Sequence, residues 1–367
     1  MSGSSKNRRE RSAARRGIRL RRAACSPRGG GILDNICHTL AGAAFAEAGL
    51  RRATPLATAT LLIGANLPDL DGLTYVFGTP VEALAFRRGW THGVLAMAVL
   101  PAALAAAMSG WDRFVRRRRQ PQAEPARFRA LWALAFLSVL SHPLLDLLNT
   151  YGVRLLMPFS GRWFYADALF IVDPWLWAAL ALGFAWSRLQ RWRRSASPEA
   201  PARWALGLSF AYVAAMIGSG VAGRSIAARE ARAAGLEIDR LMVGPVPWDP
   251  MTRMALFESP GGYRFGTLRF LDRPALRLKD EAWPKGDTVP AARAAADTAI
   301  GRDFLIWSRF PAFRTEPGGA ATRVQLLDAR YPGPGGSWAS VTVEVPTPSG
   351  HAGGAGDILA PRPGGSP

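Results

Sequence analysis

Four stretches of the chain, residues 93–110, 130–148, 169–187 and 204–222, are apolar for 18 residues or more. At about 1.5 Å per helical residue, each crosses or nearly crosses a hydrocarbon core of about 30 Å. Two further apolar stretches, 32–50, which charged residues interrupt, and the short 53–66, predict a re-entrant or partly spanning helical hairpin ahead of these four spans. Beyond about residue 240 the pattern changes to short alternating runs, GYRFGTLRF, DFLIWSRF, RVQLLDARY and SWASVTVEV, broken by Gly/Pro turns. Such runs predict a small β-rich domain, here over 240–345, with one helix near 289–300. The expected fold is therefore mainly α: a polytopic transmembrane bundle over 31–225 followed by an extramembrane β-rich domain. Residues 1–30 lack apolar periodicity and 346–367 are rich in Gly and Pro, so both read as disordered ends.

Charge sharpens this picture. The formal net charge is +19, and the excess arginine falls in 1–30, 51–52, 113–129 and 188–203, beside apolar stretches rather than on one helix face. No interleaved aromatics accompany it, so it argues for membrane topology and against nucleic acid. The positive-inside rule puts the linkers 113–129 and 188–203 in the cytoplasm, with loops 67–91 and 149–168 and everything after 222 outside. One conflict stays open: if 32–50 spans, the basic N-terminus lies on the outer side. Asp34, His38 and Glu47 interrupt 32–50 where a signal peptide needs an unbroken apolar run, and a start codon assigned too far upstream also accounts for residues 1–30. Cys25 and Cys37 form no CxxC pair and read as small isolated thiols.

Three of the four histidines, His38, His92 and His142, lie in or at the ends of the N-terminal apolar segments. One such residue is more often a packing group. Three with carboxylates nearby point to a site, because ionisable groups are expensive at membrane depth. In SHPLLDLLNTYG, His142 and Asp146 are spaced i, i+4 on one helix face, which suits ligands and equally a structural hydrogen-bonded pair. In NLPDLDG, Asp69 and Asp71 alternate in a Pro/Gly-bounded turn, which serves a common ion or simply turn formation. GWTHG puts His92 at the start of the next span. Counted from Arg129, His142 and Asp146 lie about 20 and 26 Å along their helix, His92 begins an inward-running span and the two aspartates end an outward-running one. All three motifs thus reach one membrane face. Mixed imidazole and carboxylate ligands suit zinc first, and manganese or iron, better than calcium. Such an ion lowers the pKa of water and polarises a phosphoryl or acyl oxygen, with Asp69 or Asp71 as the general base; two metals are feasible if all six residues ligate.

Other features are weaker. Gly218, Gly220 and Gly223 spell GxGxxG late in an apolar helix with no strand before them, which predicts close helix packing. No GxSxG elbow occurs. Asp167 and Asp173 are secondary ligand candidates, with helix capping the simpler role.

Taken in order, DNICHTLAG, LIGANLPDLDG, RRGWTHG and SHPLLDLLNTYGVRLLMPFS resemble the LexA-regulated, membrane-bound metal-dependent hydrolase family. The resemblance covers residues 33–187 and fades through GPVPWDP into the β-rich segment. It implies a multi-pass inner-membrane protein whose hydrolytic metal site is carried by His38, Asp69, Asp71, His92, His142 and Asp146. Where the family pattern reads HRG ahead of Thr-His, this chain has Arg87-Arg88-Gly89, which implies one metal or lower affinity if that imidazole is a ligand. The expectation is a metal-dependent hydrolase acting on a phosphoester or lipid-derived substrate at the bilayer surface. Its different-class alternative is a non-enzymatic membrane protein, either a metal-stabilised scaffold or an ion transporter.

Overall fold

A computed structural model describes residues 30–332 and 339–347; the expectations of disorder for the N-terminal extension and the Gly/Pro tail fall outside these residues. Helix α1 (Gly30–Glu47) turns through Gly49, at φ 125°, into the antiparallel α2 (Ala57–Asn66). Small residues set their distance, since a Cβ on Gly42 would stand 2.8 Å from the Leu61 carbonyl oxygen. At ten residues, α2 is about 15 Å long and too short to cross the bilayer core, so the hairpin is only partly spanning.

A 3-10 segment (Leu67–Leu73), α3 (Thr74–Phe77) and α4 (Pro80–Phe86) lead to α5 (Val94–Trp111). A capping box fixes the start of α4: Thr79 accepts from the Glu82 N–H, and Glu82 accepts from the Thr79 N–H. Then come α6 (Phe128–Leu148), α7 (Pro174–Trp192) and α8 (Ala200–Ala233). Among the described residues, three helical stretches are long and apolar enough to cross a membrane: Val94–Arg119, Phe128–Leu148 and Ala200–Ala233. The third of the four expected spans becomes α7. It starts later than residue 169, at Pro174, because Asp173 caps it by accepting from the Leu176 N–H, and it carries Arg188 and Arg191. It packs between α1 and α8 and is not one of the three. The outer surface of α8 is apolar, with Trp204, Leu208, Phe210 and Val221 exposed, as a lipid-facing helix requires.

The arginine-rich segments gather at one end. Glu47 pairs with Arg51, Arg188 and Arg191, Glu199 pairs with Arg52, and Arg127 bonds Thr54 Oγ1 and the Ala53 carbonyl. The three histidines lie toward the other end.

The C-terminal domain holds two antiparallel sheets. One has the order β1 (Arg240–Val246), β2 (Asp249–Ser259), β3 (Gly262–Arg269), β4 (Leu276–Trp283); the other has β5 (Pro311–Glu316), β6 (Ala321–Asp328), β7 (Ser340–Pro346). Two expectations need correction here. DFLIWSRF is mostly helical, forming the end of α10 (Ala299–Trp307), because Thr298 caps it and Phe304 and Trp307 are buried at i, i+3. The single helix near 289–300 is two, α9 (Pro290–Ala296) and α10, broken where that cap interrupts the chain.

Three arginines, two of them buried, lock the domain to the bundle. Arg253 donates to the Ala168 and Met216 carbonyls, Arg309 sits 3.0 Å from both oxygens of Asp167, and Arg330 reaches the Thr150 carbonyl while pairing with Asp328. Of the late glycines, Gly218 and Gly220 face open space, which corrects the packing role expected of them. Gly223 alone is covered, by Val243, Leu268 and Phe270 of the sheet.

Candidate metal centre

His142 and Asp146 lie one turn apart on the buried face of α6. Ser138, one turn earlier, packs so tightly on α2 that a Cβ on Gly64 would stand 2.1 Å from its hydroxyl. That approach brings the end of α2 to the imidazole, and His142 Nδ1 donates to the Ala65 carbonyl at 2.7 Å. Because a carbonyl only accepts, the proton is on Nδ1, and Nε2 presents a lone pair 3.7 Å from both Asp69 Oδ1 and Asp146 Oδ2.

The other two histidines close around these atoms. His38 of α1 stacks on His142 with ring centroids 3.7 Å apart, and its Nε2 is 3.5 Å from Asp146 Oδ1. His92, in the turn before α5, stands edge-on to His142 at 5.0 Å and points Nε2 at Asp146 Oδ2, 3.2 Å away. Two candidate ligand sets result, His38–His142–Asp146 and Asp69–His92–His142, each with its ligand atoms within 4.8 Å of one another and both sharing His142. All five residues are buried except the partly exposed Asp69.

The residues fit a divalent ion. Ligand bonds of about 2.0–2.2 Å in a tetrahedron put neighbouring ligand atoms about 3.3–3.6 Å apart. The imidazole–carboxylate spacings here run from 3.2 to 3.7 Å. The Nε2 atom of His142 is buried without a hydrogen-bond partner, a costly state that an ion relieves.

Asp71 belongs to neither ligand set and stands behind His92. Its Oδ2 accepts from the Arg88 N–H at 2.8 Å and the Thr91 hydroxyl at 3.0 Å, and lies 3.4 Å from His92 Nδ1. Its Oδ1 accepts from Arg87 Nε, while Arg87 Nη2 donates to Asp69 at 2.9 Å. Arg88 holds a left-handed conformation, φ 52°, which a side-chain-bearing residue adopts only when its surroundings enforce it. Those surroundings are Asp71 on its N–H, Asp146 at 2.8 Å and Asn149 at 3.1 Å on its guanidinium, and the Tyr151 ring beneath. Burial by itself would push the Asp69 and Asp71 carboxyls up; Arg87, bonded to both, and the His92 imidazole beside Asp71 oppose it, and both are held below the usual range. Burial disfavours the His92 imidazolium, but Asp146 and Asp71 beside it raise its pKa to about 9, so proton and metal compete for this ring.

Of the six residues expected to ligate, five surround the shared space and Asp71 supports one of them. Asp167 and Asp173 are used elsewhere, against Arg309 and Arg224 and as the cap of α7 with Tyr212. Arg87 and Arg88 escaped sequence reasoning as site residues. Their signal was two adjacent arginines in a loop that stands apart from the arginine-rich linkers.

Residues 33–222, more than half of the chain, match the family described as YdjM inner membrane protein. Over 132 residues the chain is 28% identical to the uncharacterized protein YfhP of Bacillus subtilis (strain 168), a match covering 34% of this chain and 36% of that protein. The chain thus spans about a third of that relative's length. No solved structure matches it significantly.

Proposed function

The chain belongs to the YdjM inner membrane protein family, and we propose that it is a membrane-bound metal-dependent hydrolase. The observation that carries the proposal is His142, whose Nε2 is buried without a hydrogen-bond partner between Asp69 and Asp146 while Nδ1 is tied to the backbone. His38, His142 and Asp146, or Asp69, His92 and His142, would hold an ion, zinc by preference, with manganese and iron as the alternatives. When bound, the ion lowers the pKa of a water and polarises the oxygen of the scissile group. Asp71 orients His92 from behind, as carboxylates behind ligating imidazoles do. Asp69, the most accessible carboxylate of the group, would accept a proton from water through an oxygen that does not meet the ion. Arg87 and Arg88 hold the carboxylates in place and offset negative charge developing on the substrate.

A phosphoester or lipid-derived substrate suits this position. The segment that carries Asp69, Asp71 and His92 also exposes Leu70, Leu73, Val76, Phe77 and Trp90, an apolar rim suited to a bilayer surface. The site and the β domain face the non-cytoplasmic side, with α7 as a fourth span, because the arginine clusters occupy the opposite end. Regulation by LexA, which the motif resemblance also implies, is a proposal about the gene, to be tested on transcript levels with and without LexA.

Elemental analysis of the purified protein, followed by hydrolysis assays on generic phosphodiesters and carboxyl esters, tests the reading. Stoichiometric metal with metal-dependent turnover is the expected result. Metal without turnover on either substrate class assigns the site to a scaffold or an ion pathway instead.

A further inference from the structure

We propose that the β domain is seated on the bilayer, with Trp248, Met251 and Leu271 inserted into the interface of the leaflet at its own end of the bundle. The inference is independent of the hydrolase reading.

The strand register puts these residues together. Trp248 is in the β1–β2 turn, Met251 follows it on β2, and β3 returns to the same end, with Thr252 opposite Arg269 and the Phe270 N–H directed to the Met251 carbonyl. Leu271 comes next. Trp248 is 73% exposed, Leu271 81% and Met251 50%. One end of a four-stranded sheet therefore presents three large apolar side chains to its surroundings. Trp248 does so from a left-handed backbone, φ 67°, that a large side chain rarely adopts.

Helix α8 gives the depth of that end. Gly223 is 20 residues beyond Arg203, about 30 Å along the helix and the thickness of a hydrocarbon core. Phe270 and Val243 lie against Gly223, and Arg253 of β2 bonds the Met216 carbonyl on the same helix. Trp175, in the first turn of α7 and itself half exposed, donates to the Trp248 carbonyl at 3.3 Å. The sheet end is thus level with the boundary of the helical bundle, continuous with the lipid-facing Val221. Trp at that level favours the interface, its ring in the headgroup region.

Charge agrees with a lipid surface. Arg224, Arg229 and Arg232 are exposed on α8 just beyond the boundary, lining an open groove of about 610 Å³, and Arg269, Arg273 and Arg277 flank Leu271. Arg229, Arg232, Arg269 and Arg273 are available in this band to phospholipid phosphates, while Arg224 pairs with Asp167 and Arg277 with Asp272.

Single cysteines at 248, 271 and 261, in a Cys25→Ser background with the buried Cys37 left in place, test the proposal. Gly261 is in the β2–β3 turn at the opposite end of the same sheet, and a side chain there meets open space. Each variant of the full chain carries an environment-sensitive fluorophore, in nanodiscs of phosphatidylethanolamine and phosphatidylglycerol. Quenching by brominated lipid relative to aqueous iodide is expected to be at least about threefold greater at 248 and 271 than at 261, as interfacial burial requires. Equal ratios at 248 or 271 and at 261 overturn it. Shielding of 248 and 271 from both quenchers means that protein covers the tips, and also overturns it.

Discussion

Arg88 pairs with one oxygen of Asp146, Nη2 to Oδ1 at 2.8 Å, and leaves Oδ2 turned toward His92 and His142 at 3.2 and 3.7 Å. The guanidinium thus aims the carboxylate, and its fork geometry is what a lysine lacks. Arg88→Lys and Arg88→Ala are expected to weaken metal affinity about 10- to 100-fold with the bundle still folded. Competition with a metal chelator measures this, and an unchanged affinity for Arg88→Ala removes the aiming role.

His142→Ala is expected to abolish tight metal binding, since His142 is common to both ligand sets. Its cavity opens in a polar centre that helix packing supports elsewhere, so the protein remains monodisperse in detergent. Elemental analysis of variant and parent decides: equal metal content reduces the His142–Asp146 pair to a structural contact.

Cysteines at positions 160 and 195 are expected to label from opposite sides of sealed membrane vesicles, with 195 cytoplasmic. Residue 195 follows the arginine-rich end of α7, and residue 160 lies in the loop after α6, at the helix end opposite Arg127 and Arg129. Labelling of both from one side sinks the orientation.

The fully buried Asp328–Arg330 pair gives the β domain a pH dependence. Burial opposes the Asp328 carboxylate, but Arg330 and the hydrogen bonds of Ser308 and Arg330 hold its pKa below the ordinary 3.8. A folded-state pKa below the unfolded one contributes stability that is complete above about pH 4 and is lost as pH falls through the folded value. Asp328→Asn strands the guanidinium and is expected to cost about 3–5 kcal/mol and to flatten the acid dependence. Thermal unfolding between pH 3 and 7 checks both; a parallel pH profile in the variant contradicts the assignment.

The sequence by itself determined three of the four expected lipid-seeking stretches, the change to β structure after residue 240 and the concentration of arginine between the apolar stretches, because each is written in hydropathy, alternation or charge along the chain. It also identified the three histidines and three aspartates, which are conspicuous wherever polar groups are costly. The helix at 299–307 escaped it because DFLIW is short and apolar enough to read as a strand, and only the cap at Thr298 and the burial of Phe304 and Trp307 decide the matter. Only the tertiary structure separated Asp71, saturated by Arg87, Arg88 and Thr91, from the residues that face the shared space. The same holds for Arg87 and Arg88, whose partners Asp69, Asp71 and Asp146 are 16 or more residues away and on other elements. Facing the shared space and standing behind it differ by which carboxylate oxygen meets which donor. That is settled by the close approach of helices at Gly64 and by the left-handed turn at Arg88, neither of which a linear pattern encodes.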